Sequence, residues 1–175
     1  MSDRSFGSGR HSARANEYSF FVAGSVILFI IKSIMKTELK LLIQNQLSDL
    51  VELTKKADKF MESHDLPTEI VYKVNLILEE VLTNIIKYAY RDTMKHNIGI
   101  QIILNDYELL LEFEDDGEAF DPLGAPVPKN RESISDSPVG GLGIHLVKQM
   151  VDRIEYQRYE GCNILRASVG LRYAA

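Results

Sequence analysis

Cysteine is almost absent. The single residue, Cys162, leaves no partner for an internal disulfide and no thiolate set for a zinc site, which favours a reducing compartment and a packing role for this thiol. Positive charge is scarce over most of the chain as well. The net charge is −5, but residues 1–36 carry five Lys/Arg against two Asp/Glu, leaving 15 against 23, a balance of −8, for residues 37–175. A body of that sign is poorly matched to a phosphate backbone, which argues against direct nucleic-acid binding. The four histidines, His11, His64, His96 and His145, lack the i, i+4 pairing or carboxylate spacing of a transition-metal site. Long hydrophobic runs are missing too. Phe20 to Ile31 is almost wholly apolar and ends at Lys32, but a membrane span needs about twenty such residues.

At 175 residues the chain has room for one ordinary domain with its own core and an appendage. Residues 1–19 are rich in Ser, Gly and Arg without hydrophobic period, and read as a flexible tail or as sequence that does not belong to the fold. Arg10 and Arg14 ahead of the apolar segment resemble a signal-peptide layout, without a small-x-small cleavage site. Three readings of residues 1–36 stay open: an extension ahead of a start at Met35, a short membrane anchor, or a packed helix. The domain proper is expected over residues 37–173, in the cytoplasm, at a membrane only if the segment 20–31 is an anchor.

Alternation of Leu39, Leu41 and Ile43 with Glu38 and Lys40 predicts a strand over Thr37 to Ile43. Ser48 is the expected N-cap of a helix with Asp49 and Glu52 in its first turn and Leu47, Leu50, Val51, Thr54, Ala57 and Met61 on the inward face. Its end is marked by His64-Asp65-Leu66-Pro67. A second helix opens at Pro67-Thr68-Glu69 and runs to about Tyr90, with Val74, Ile77, Leu78, Val81, Leu82, Ile85 and Ile86 at the spacing of one buried face. Glu80 and Asn84 fall together on the flank of that stripe, and Glu79 lies further round.

Ile98, Ile100 and Ile102, a turn at Asn105-Asp106, and Leu109, Leu111 and Phe113 give a β-hairpin pattern. The polar run Glu114 to Pro122 follows. Leu123 to Val139 then spans 17 residues with three prolines and no period, a loop of a length that is usually functional, expected as a lid over about 121–140. Gly140-Gly141-Leu142-Gly143 leads as a glycine-rich turn into a third helix, with Leu146, Val147, Met150, Val151 and Ile154 as its apolar positions. Two closing strands surround the turn Glu160-Gly161. The order β-α-α-β-β-lid-α-β-β predicts a two-layer α/β sandwich, a mostly antiparallel sheet covered on one face by helices.

Three stations in this order suit a nucleotide. The Asp115 carboxylate can accept the exocyclic amine of adenine, while Gly117 allows close backbone approach. The glycines at 140, 141 and 143, backed by a helix N-terminus, can offer N–H groups to phosphates. Asn84 supplies a neutral oxygen for Mg²⁺, and Glu80, one turn away, can orient and deprotonate a nucleophile in line with the γ-phosphate.

Glu-x-x-x-Asn at 80–84, Asp-x-Gly-x-x-Phe-Asp-Pro at 115–122 and Gly-Gly-Leu-Gly-Ile at 140–144 resemble the N-box and the two glycine boxes of the GHKL ATPases. The compact form and Phe120-Asp121-Pro122 are similar to the anti-sigma-factor serine/threonine kinases, over roughly residues 37–170. The resemblance implies a Bergerat-type ATP site: Glu80 as catalytic base, Asn84 as magnesium ligand, Asp115 on adenine, and Gly117, Gly140, Gly141, Leu142 and Gly143 shaping the pocket and lid hinge. It also implies a phosphoacceptor Ser or Thr on an anti-sigma-factor antagonist, capture of a sigma factor, and a homodimer. Ala119 departs from the pattern, standing where many members carry glycine. A nucleotide-gated binding module with negligible chemistry is the alternative function, and a structural α/β protein whose boxes are accidental turns is the third.

Overall fold

The computed structural model describes residues 36–124 and 141–171, with only the backbone of Gly141 and Leu142. These residues belong, Lys36 apart, to a compact unit, Thr37–Ala175. The apolar segment 20–31, the serine- and proline-rich stretch 125–139 and Gly140 lie outside the described residues.

Five strands form one antiparallel sheet: β1 (Thr37–Gln44), β2 (Asn97–Leu104), β3 (Glu108–Asp115), β4 (Arg153–Tyr159) and β5 (Cys162–Gly170), in the order β1-β2-β3-β5-β4. Register aligns the alternating apolar positions into rows across the strands. Leu41, Ile100, Phe113, Leu165 and Tyr156 make one such row, and Leu39, Ile102, Leu111, Ala167 and Ile154 the next. Both face the core. The opposite face carries charge, with Arg166 donating to Glu112 at 2.6 Å and Gln101 to Glu38 at 2.6 Å. One apolar face and one polar face is the expected outcome of period-2 patterning.

Three helices cover the apolar face: α1 (Asp49–Ser63), α2 (Thr68–Tyr88) and α3 (Gly141–Met150). The α2 stripe is buried as its period predicts, with Val74, Ile77 and Leu82 fully covered. Burying one such aliphatic side chain is worth about 1.5–3 kcal/mol, so this stripe is a major part of the packing. Ile144 and Val147 of α3 join the same core. Together these layers make a two-layer α/β sandwich.

Two expectations for α1 are corrected. Ser48 sits at the helix start in helical backbone geometry and makes no side-chain cap; its hydroxyl donates to Asp49 Oδ1 at 3.2 Å, while Asp49 Oδ2 accepts the Gln44 N–H. The buried face is Leu53, Ala57 and Met61, whereas Leu47 and Val51 are exposed. The helix is thus turned so that Leu53, absent from the predicted face, packs inward.

The turns follow their residues. Asn105 Oδ1 accepts the N–H groups of Tyr107 and Glu108 at 2.8 and 3.0 Å, closing the β2–β3 hairpin. Glu160 and Gly161 both have positive φ, 48° and 87°, the geometry of a two-residue turn matched to strand twist.

Candidate functional site

Glu80 and Asn84 stand one turn apart on α2, both half-buried, with Glu79 exposed beside them. The Glu80 carboxylate lies against the backbone of Gly143 in the first turn of α3. A Cβ at position 143 would overlap Glu80 Oε2 and come within 2.9 Å of Cδ. The glycine is required for this approach, because any larger residue displaces the carboxylate.

The second glycine run was expected as a turn ahead of the helix. Instead Gly141, Leu142 and Gly143 form the opening turn of α3 itself. The N–H groups of a first helical turn have no partner within the helix, so donors for an anion remain at this end.

Asn84 Nδ2 is buried and has no hydrogen-bond partner among the described residues. Buried amide nitrogens are normally paired, so Asn84 is left with this donor for a partner outside the described residues. Its oxygen suits a hard cation such as magnesium, which takes one or two protein oxygens and fills its octahedron with phosphate and water. Among the described residues no three His, Cys, Asp or Glu side chains gather in a metal-holding group.

Asp115 ends β3 and is only 5% exposed. Its Oδ1 accepts the N–H of Gly117 at 2.9 Å and Nδ2 of Asn163 at 2.8 Å, and among the described residues these bonds leave Oδ2 to accept from a ligand. Burial pushes this carboxyl above its ordinary range, against the opposing pull of the Asn163 and Gly117 hydrogen bonds and the Arg158 charge. Gly117 is wedged onto the end of α2: a Cβ there would stand 2.5 Å from Ala89 Cβ and 2.6 Å from its carbonyl oxygen. The next N–H, of Glu118, donates to that same carbonyl at 2.8 Å. One helix therefore seats both glycine boxes, the second against Glu80 and the first against Ala89.

Beside the first box, His96 sits between two carboxylates, Asp92 at 3.0 Å from Nε2 and Asp116 at 3.2 Å from Nδ1, and stacks on Tyr90 with ring centroids 4.1 Å apart. Burial, then the charges of Asp115 and Asp116, push the Tyr90 phenol above its ordinary range. Lys148 of α3 donates to the carbonyl of Leu123 at 2.8 Å, fastening the chain as it leaves the first box.

Three contributors were not singled out from the sequence: Asn163, Arg158 and Tyr156. Arg158 Nη1 donates to the Gly117 carbonyl and to Asn163 Oδ1, both at 2.8 Å, and Tyr156 Oη donates to Asn163 Oδ1 at 2.8 Å. The available signal was phase. Asn163 is polar in step with Leu165, Ala167 and Val169, and such a residue in a core row must be bonded to something.

Comparisons with known proteins bear on the family and the fold. The family model described as "Histidine kinase-like ATPase domain" matches residues 43–169. The serine/threonine-protein kinase BtrW of Bordetella bronchiseptica is 32% identical over 96 residues, which covers 54% of this chain and 66% of BtrW. The match thus spans just under two thirds of that relative. Among solved structures, the RsbU and RsbW domains of Rv1364c from Mycobacterium tuberculosis align with a TM-score of 0.54 at 10% identity, covering 79% of this chain and 35% of that one, a likeness of fold. Because that family model spans well over half of its length, the chain belongs to the histidine kinase-like ATPase domain family, the GHKL group whose boxes it resembles.

Proposed function

We propose that residues 37–173 form an ATP- and Mg²⁺-dependent protein serine/threonine kinase of the anti-sigma-factor type, with a lid over about 121–140. The observation that carries the reading is the contact between Glu80 and Gly143: the one half-buried carboxylate of α2's polar flank lies against the helix start suited to hold phosphates.

In this reading Asp115 Oδ2 accepts the exocyclic amine of adenine, and the box around Gly117 fits the base closely. The first turn of α3, Gly141 to Gly143, donates N–H groups to phosphate oxygens, with Gly140 as the hinge before it. Asn84 Oδ1 would hold magnesium, which when bound neutralises charge on the phosphates. Glu80 orients the acceptor hydroxyl and takes its proton as the oxygen attacks the γ-phosphorus, and the phosphorus–oxygen bond to ADP breaks. The acceptor is a Ser or Thr on an antagonist protein, and a sigma factor is the second partner of a switching circuit. Support for the protein substrate comes from the likeness to BtrW, named a serine/threonine-protein kinase.

The test uses the full chain, γ-labelled ATP and candidate antagonist proteins. Glu80→Ala is expected to keep nucleotide affinity and to lose roughly 10²–10⁴ of the transfer rate, the usual range for general base catalysis. Transfer at the wild-type rate by Glu80→Ala would refute the assigned base. Nucleotide binding by the wild type with no label on any candidate would favour a nucleotide-gated binding module instead.

A further inference from the structure

Asn163 is a buried amide in a row of aliphatic residues, directly opposite Asp115 in the β3–β5 register and only 7% exposed. Such a group costs desolvation unless its polar atoms are used. They are. Nδ2 donates to Asp115 Oδ1 at 2.8 Å and to the Glu118 carbonyl at 3.0 Å, while Oδ1 accepts from Tyr156 Oη and Arg158 Nη1, each at 2.8 Å. A flipped amide would set donor against donor at Arg158 and oxygen against oxygen at Asp115 and Glu118, so its orientation is determined by its partners. The same Arg158 nitrogen also donates to the Gly117 carbonyl at 2.8 Å, tying β4 to the first glycine box.

We infer that Asn163 and Arg158 are positioning residues for base recognition: they commit one oxygen of Asp115 and pin Gly117, so that Asp115 Oδ2 is presented as an ionised acceptor that selects a base bearing an exocyclic amine over one bearing a carbonyl there. This rests on the nucleotide reading above. A carboxylate in so buried a place is pressed toward its neutral form, and a neutral carboxyl can donate to a carbonyl-bearing base. The groups facing Asp115 are Asp116 beside it, Tyr90 beyond α2, Cys162 at the start of β5 and Arg158 on β4. Of these Arg158 is the cation. Removing it, or the Asn163 donor, takes away part of the support for the ionised form and lets burial weigh more heavily.

The experiment is calorimetric titration of the full chain with ADP and with inosine diphosphate between about pH 5 and about 8. Wild type is expected to prefer ADP by at least roughly tenfold, the scale of one hydrogen bond to a charged acceptor. Arg158→Met, on an exposed edge-strand residue, and Asn163→Ala are expected to lose roughly tenfold in ADP affinity, to begin losing ADP binding at higher pH than wild type, and to narrow the preference over inosine diphosphate. Thermal melting of each variant establishes that it is folded, and Arg158→Met decides alone if Asn163→Ala is not. A folded Arg158→Met with unchanged base preference and pH profile overturns the inference, as does an equal loss for both nucleotides with an unshifted profile. Failure of the wild type to bind either nucleotide overturns the nucleotide reading and this inference with it.

Discussion

Gly143 and Gly117 are both glycine for want of space, but their neighbours differ in what can yield. A Cβ at Gly143 meets the far end of the Glu80 side chain, which can swing aside. Gly143→Ala is therefore expected to fold with little change in melting temperature, since alanine is also the better helix former by about 1 kcal/mol, while phosphotransfer falls with the displaced carboxylate. A Cβ at Gly117 meets the Ala89 backbone carbonyl, which cannot move without shifting α2. Gly117→Ala should then cost about 1–3 kcal/mol of stability, read by denaturant unfolding. Asp115 carries a different tension. Its carboxyl is raised by burial, so the proton-binding form is favoured in the fold, and the stability of the unliganded chain falls as pH rises from the ordinary carboxylate range through the raised value. Asp115→Asn keeps an oxygen for Gly117 and Asn163 and removes that burden. It should leave the melting temperature at neutral pH unchanged or higher, while adenine-nucleotide affinity drops at least roughly tenfold.

Among the elements, the loop between α2 and β2 carries the clearest pH response. Both ring nitrogens of His96 face carboxylates, so the doubly protonated ring satisfies both. Hydrogen bonding to Asp92, opposed by desolvation and helped by Asp116, raises His96 above 6.5, and the bonds to the Met94 N–H and His96 lower Asp92. The sign follows from the raised folded value: the contribution of His96 is complete below pH 6.5 and is lost as pH rises through the folded value. Melting curves of wild type and His96→Gln should thus differ most below pH 6.5 and converge as pH rises through the raised folded value; parallel curves would show that the ring's charge does not hold the loop. The elements themselves were largely legible because each has one buried face and a clean period. The end of α3 was not, since Ile154 belongs to β4, and the α1 face was not. Leu47, Val51 and Leu53 offer two competing apolar stripes near one helix end, and packing against α2 and the sheet chooses Leu53.

For the whole molecule, the boxes along α2, β3 and α3 were readable because each bears residue types that a plain core does not need. Asn163 and Arg158 were not readable. Their partner Asp115 lies 48 residues from Asn163 in sequence and is reached only through the β3–β5 register, which the hairpin patterns do not specify. Gly141 and Gly143 read as a turn because glycine ordinarily interrupts helices; tight docking on Glu80 provides the opposite reason for Gly143 inside one. Among the described residues no helix is long and apolar enough to cross a membrane. In the proposed function α2 is the common seat of both glycine boxes, with Asp115, Asn84 and the opening turn of α3 around one bound nucleotide. Calorimetric titration of the full chain with ADP, with and without Mg²⁺, tests this most directly. The account predicts one saturable site per chain that tightens when Mg²⁺ is present and is weakened by Asp115→Asn and, only when Mg²⁺ is present, by Asn84→Ala. A wild-type chain that binds no adenine nucleotide, or binds it equally well after both substitutions, would contradict it.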